Sequence, residues 1–129
     1  MKLFNLITQL SLLLTIWLST QTVGACVSAK AANYVRRMIT KDRVVIFSKT
    51  YCYYSDLAKE QFNKLNVPFV AIELDEREDG RVIQSILEEM TGSSTVPRVY
   101  IDGEFIGGGT DVFKLNKSGK LKEMLHIQK

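Results

Sequence analysis

The chain has 129 residues, with 17 Lys and Arg against 14 Asp and Glu, for a formal charge of +3. That length supports one domain with one core, and that charge, with no run of five basic residues, gives no electrostatic case for nucleic acid. A single histidine and two distant cysteines exclude zinc-ligand spacing.

The first 25 residues stand apart. Lys2 is the only charge before Lys30, and Leu3 to Leu18 is mostly apolar. With the small residues Val23-Gly24-Ala25 behind it, this pattern reads as a signal peptide cleaved after Ala25. The alternative is an uncleaved signal anchor, since the stretch is just long enough to span a bilayer, although Gln9, Ser11 and Thr15 weaken it. No arginine precedes Arg36, which argues against a mitochondrial presequence. Residues 26–129 then form the folded domain, and they contain no repeat and no low-complexity linker.

Along that domain, Ala32, Val35 and Ile39 predict a helix over residues 29–39. Val44 to Phe47 is a short β-branched run suited to a strand buried on both faces. Leu57, Phe62 and Leu65 mark a second helix that starts at Cys52 and stops before Pro68. Phe69 to Leu74 reads as a strand. Val82, Ile83, Ile86, Leu87 and Met90 predict a third helix closed by Gly92. Arg98 to Ile101, Asp102-Gly103, then Glu104 to Ile106 is a hairpin with a type I′ turn. Val112, Phe113, Leu115, Leu121 and Leu125 predict one last helix after Gly107-Gly108-Gly109. The β-α-β start requires a parallel pair with a right-handed crossover, and the hairpin adds an antiparallel pair. The expected fold is thioredoxin-like α/β: a four-stranded mixed sheet flanked by helices.

Cys52-Tyr53-Tyr54-Ser55 falls between the first strand and the second helix, where a C-x-x-C redox pair stands in such a βα unit. A reacting cysteine must be a thiolate. The helix start supplies free N–H groups and a favourable dipole, and Lys49 adds positive charge, so both favour the charged sulfur. Ser55 lies one turn along and can donate a hydrogen bond to it, or is an exposed helix serine with no role. Ser55 cannot attack a disulfide, so no disulfide can form within the motif. Cys26 reads as a free thiol, a disulfide partner or a lipid site, and His126 as a surface residue.

Three segments together resemble the glutaredoxin family: Phe47-Ser48-Lys49-Thr50-Tyr51-Cys52 with Tyr54, Thr95-Val96-Pro97-Arg98-Val99-Tyr100-Ile101, and Phe105-Ile106-Gly107-Gly108-Gly109-Thr110-Asp111. The resemblance runs from about Tyr34 to the end. It implies a glutathione-dependent oxidoreductase whose partners are glutathione and glutathionylated proteins. It assigns Cys52 as nucleophile, with Lys49 and Ser55 beside it. Tyr54 would line the glutathione cleft. Thr95, Val96 and a cis Pro97 would present backbone to the cysteinyl unit. Gly108, Gly109, Thr110 and Asp111 would receive the γ-glutamyl end, Thr110 by capping the helix and Asp111 by accepting from the ammonium. Lys49 and Gln84 match positions that contact the glycyl carboxylate, and Arg98 reads as structural or a rim charge.

Two departures matter. Dithiol members carry Cys-Pro-Tyr-Cys, and the other large branch carries Cys-Gly-Phe-Ser, usually with a Trp-Pro pair. Here the site is Cys-Tyr-Tyr-Ser and the only tryptophan is Trp17 in the leader. The chain is therefore similar to the monothiol glutaredoxins of the secretory pathway, expected in the endoplasmic reticulum or Golgi lumen or secreted. A membrane enters only if the leader stays as an anchor. Family members with a residue other than proline at position 53 accompany dimers sharing a [2Fe–2S] cluster. The alternative expectation is accordingly a weakly catalytic homodimer with Cys52 as iron ligand, in place of a catalytic monomer. A third is a thioredoxin-like fold kept for protein interaction.

Overall fold

The computed structural model describes residues 2–127. It begins with a single helix, α1, Lys2–Lys41. The sequence reading separates a leader from a helix near Ala29, but no proline interrupts the segment. Gly24 alone, at about 1 kcal/mol, does not stop a helix. Then follow β1 Val44–Ser48, α2 Tyr53–Lys64, β2 Val70–Glu73, a 3₁₀ turn Leu74–Glu76, α3 Gly80–Thr91, β3 Arg98–Ile101, β4 Glu104–Gly107, α4 Gly109–Lys117 and α5 Lys120–Met124.

The sheet order is β2-β1-β3-β4. β1 and β2 are parallel, while β3 is antiparallel to both β1 and β4. This is the thioredoxin-like layout. All five residues of β1 are buried, as its continuous apolar run requires. Val45 and Phe47 pack on one face with Ala31, Val35, Ile39, Ile83 and Leu87 from α1 and α3. Val44 and Ile46 pack on the other with Ala58, Phe62, Val112, Leu121 and Leu125 from α2, α4 and α5. Each fully buried side chain of this kind contributes roughly 1.5–3 kcal/mol.

Asp102 and Gly103 both take positive φ, 50° and 83°, as a type I′ turn needs. Gly92 closes α3 at φ 79°. The last helix is two helices. Gly119 at φ 81° breaks it, so Leu121 and Leu125 reach the core from a separate turn. In α2 the buried face is Ser55, Ala58, Gln61 and Phe62, with Leu57 and Leu65 only partly covered.

Candidate active site

Parallel β1 and β2 end side by side, and the chain leaving β1 turns over those ends into α2. Glu73 fixes this corner: it accepts from Ser48 Oγ at 2.5 Å and pairs with Lys59 Nζ at 2.6 Å. One step outward, Asp75 accepts from the Thr50 N–H at 2.9 Å and from the Thr50 hydroxyl. That hydroxyl bond, foremost, holds the Asp75 carboxyl below its ordinary pKa. The loop carrying Lys49 and Tyr51 is thus tied to the end of β2.

Cys52 is the N-cap of α2, in extended conformation at φ −97° and ψ 113°, and no side chain caps this end. Its own carbonyl accepts from the Ser55 and Asp56 N–H groups at 3.0 and 3.1 Å. The Tyr53 and Tyr54 N–H groups precede the first intrahelical bond. The sulfur is partly exposed and donates to the Val96 carbonyl at 3.6 Å.

Ser55 departs from expectation in two ways. It is fully buried rather than exposed, and its hydroxyl has no hydrogen-bond partner among the described residues. The expected bond to Cys52 is not made, because Sγ turns toward Val96 while the first turn of α2 carries Ser55 into the core.

The Val96–Pro97 bond is cis, and Pro97 is buried. Thr95 Oγ1 accepts from Arg98 Nη2 at 2.6 Å. Of the two readings of Arg98, structural or rim charge, its burial fits the structural one. It is 6% exposed, it lies 5.4 Å over the Phe105 ring, and burial pushes its pKa down. It places a desolvated cation under the Thr95–Pro97 loop, which the sequence signals only through its adjacency to that loop.

The α4 start completes the site. A Cβ on Gly109 would stand 2.2 Å from the Tyr54 carbonyl oxygen, and one on Gly108 would lie 3.6 Å from that of Pro97. Only glycine lets α4 approach α2 this closely. Asp111 Oδ2 accepts from the Gly108 N–H at 2.9 Å. The expected cap, Thr110, is exposed and inside the helix, since the cap position falls at Gly108, two residues earlier than expected. The first turn of α4 thus combines free N–H groups with one carboxylate.

Beside Cys52 a cleft of about 320 Å³ is lined by Lys49, Tyr51, Asp75, Arg77, Arg81 and Gln84, among others. Gln84 Nε2 donates to the Ser94 carbonyl at 2.5 Å, linking α3 to the Thr95 loop. Tyr51, Tyr53 and Tyr54 form an exposed aromatic rim, with Tyr53 and Tyr54 in edge contact at 5.5 Å. The expected site residues therefore gather at one end of the sheet. Cys26 is not among them; it is free and exposed on α1. His126 is exposed, as read.

Residues 44–106 match the family model described as Glutaredoxin. Over 98% of this chain and 94% of the relative, it is 40% identical to Glutaredoxin-C4 of Arabidopsis thaliana. It is 42% identical to Glutaredoxin-2, mitochondrial, of Mus musculus, covering 84% of this chain and 69% of that protein. A solved buckwheat glutaredoxin–glutathione complex superposes with a TM-score of 0.75 at 38% identity, covering 78% of this chain and 91% of that one. A partly exposed thiol heading a helix at the end of a mixed sheet stands beside a near-full-length likeness in sequence and a likeness in fold over 78% of the chain. The chain belongs to the glutaredoxin family and is a glutathione-dependent thiol–disulfide oxidoreductase.

Proposed function

We propose that the chain reduces protein–glutathione mixed disulfides by a monothiol mechanism. The observation that carries this reading is Cys52 at the open start of α2 with a serine, not a second thiol, one turn along. The Cys52 thiolate attacks the glutathionyl sulfur of the substrate. The S–S bond of the mixed disulfide breaks as the new Cys52–glutathione disulfide forms; the protein thiolate leaves and takes up a proton, and Cys52 holds the glutathione. A second glutathione, as thiolate, attacks the glutathionyl sulfur of that adduct. Glutathione disulfide departs and the Cys52 thiolate returns.

The chemistry of the site residues supports each contact. The α4 start offers N–H groups to the γ-glutamyl carboxylate, and Asp111 can accept from the ammonium through its second oxygen. Thr95 and Val96 offer backbone to the cysteinyl unit, and Tyr54 supplies an apolar wall. Lys49 and Gln84 face the glycyl carboxylate across the neighbouring cleft. Ser55 is assigned no proton step, since its buried hydroxyl makes no hydrogen bond to the sulfur. The apolar leader, read as signal peptide or anchor, supports a secretory-pathway location for this chemistry. Replacing Cys52 by serine should remove turnover of a glutathionylated peptide, while Cys26→Ser should keep it. Full turnover in Cys52→Ser would contradict the reading.

A second reading is a homodimer holding a [2Fe–2S] cluster through Cys52 of each copy and two glutathiones. It is favoured by Tyr53, which is 72% exposed and leaves a backbone N–H where proline would have none. Among the described residues no group of three or more His, Cys, Asp or Glu could hold a metal within one chain, so this reading draws Cys52 from each of two copies. Anaerobic purification with glutathione should then give a coloured dimer. A colourless monomer after reconstitution removes this reading.

A further inference from the structure

We propose that the apolar half of α1 lies in a bilayer and that the fold turns the Cys52 cleft toward it. The protein substrates are then glutathionylated membrane proteins whose modified cysteine lies close to the lipid surface. This rests on the glutathione chemistry proposed above and on the uncleaved-anchor reading of residues 1–25.

Leu3 to Val23 carries no charge, and its large apolar side chains are half to four-fifths exposed. At 1.5 Å per residue it is about 30 Å long, the thickness of a bilayer's hydrocarbon core. No part of this stretch packs on the domain. Lipid is the occupant that its length and lack of charge fit.

The helix does not end where the apolar stretch ends. It runs on without a break to Lys41, and Ala31, Val35 and Ile39 on its later turns are built into the core. Ala31 is only about 12 Å of helix beyond Val23. The domain is therefore held rigidly and close, not hung on a flexible linker.

Chain direction then decides which end of the domain faces the lipid. α1 runs away from the bilayer to Lys41, and a two-residue turn sends β1 back. At the far end, the Asp102 N–H donates to the Arg43 carbonyl at 2.7 Å, so the β3–β4 hairpin tip lies away from the lipid. At the near end, Arg77 Nη1 donates to the Tyr34 hydroxyl at 3.2 Å, and its guanidinium stacks 4.2 Å over the Tyr34 ring. Arg77 lines the same cleft as Lys49 and Tyr51. Tyr34 is about 16 Å of helix beyond Val23. The active-site rim is thus on the bilayer side, and its exposed tyrosines are a residue type suited to the membrane–water interface.

The test uses the full chain in phosphatidylcholine–phosphatidylserine vesicles. The substrates are transmembrane peptides with one glutathionylated cysteine, spaced from the span by about 5 or about 25 extended residues at up to roughly 3.4 Å each. The short-spaced peptide should turn over at least about tenfold faster, because tethering raises its effective concentration only where geometry permits. Inserting a flexible Gly/Ser linker after Cys26 should erase that difference. Equal rates on both spacers, or a preference that survives the linker, would overturn the orientation while turnover of a soluble glutathionylated peptide stays intact. Recovery from cells of chain lacking residues 1–25 in the soluble fraction would overturn the anchor and with it this proposal, while the activity reading stays intact. No turnover of even the soluble peptide would remove the activity reading, and this proposal with it.

Discussion

Two helix starts meet at the site, and they are finished differently. At the α2 start no side chain caps the helix, and the residue in the cap position is the reacting Cys52. At the α4 start a carboxylate from the helix's own first turn, Asp111, holds the Gly108 N–H. Both ends favour negative charge through the same dipole and free N–H groups. The open end leaves that field to a sulfur that must change partners. The capped end is fixed in advance and suited to holding the charged end of a small molecule. Gly109 joins the two, since α4 seats on the Tyr54 backbone there.

The largest expected effect comes from breaking that joint. Gly109→Ala puts a methyl group 2.2 Å from the Tyr54 carbonyl, and backbone must move. Urea unfolding should show a loss of about 1–3 kcal/mol, together with a sharp rise in KM for glutathione. An unshifted midpoint would show that the two starts are not in contact.

Removing the cap should cost less. Asp111→Ala leaves the Gly108 N–H without its partner and should lose about 0.5–2 kcal/mol, with a raised KM for glutathione. Asp111→Asn keeps an acceptor and should lose less stability. If the two variants unfold alike, charge rather than capping is what matters at α4.

At the open start, Ser55→Ala should have the opposite sign. The hydroxyl is buried without a partner, so its removal should raise stability by up to about 1 kcal/mol. A destabilised variant would mean that the hydroxyl is bonded, and a large fall in kcat would return Ser55 to the chemistry.

The smallest effect concerns the loop before Cys52. The Thr50 hydroxyl lowers the Asp75 pKa from its ordinary 3.8, so that carboxylate stabilises the fold above pH 3.8 and stops doing so as pH falls through its folded value. Thr50→Val should raise the Asp75 pKa in an NMR titration. Its small stability deficit should be present at neutral pH and vanish in acid.

Much of this was legible in the residues. The order of strands and the Asp102-Gly103 turn follow from local pattern, because alternation, β-branching and a positive-φ pair leave few alternatives. The positions of Cys52, Pro97 and the glycines follow from the family resemblance. Three features were hidden for physical reasons. The continuity of α1 was masked because an apolar leader and an amphipathic helix differ in composition but not in backbone. The break at Gly119 was masked because Leu115, Leu121 and Leu125 keep a near-helical spacing across it. The roles of Ser55, Thr110 and Arg98 depend on context. Helix phase decides the first two: a two-residue shift of the cap position from Thr110 to Gly108 puts Thr110 inside α4 and brings Asp111 to the Gly108 N–H. The burial of Arg98 against Phe105 arises from β3–β4 pairing, which no local pattern encodes.

The sharpest test is to mix the chain with a glutathionylated peptide and no free glutathione, and to follow intact mass with peptide mapping. The mechanism predicts one glutathione per chain, on Cys52, with the reduced peptide released in equal amount. An unmodified chain, or glutathione found on Cys26 alone, would contradict it.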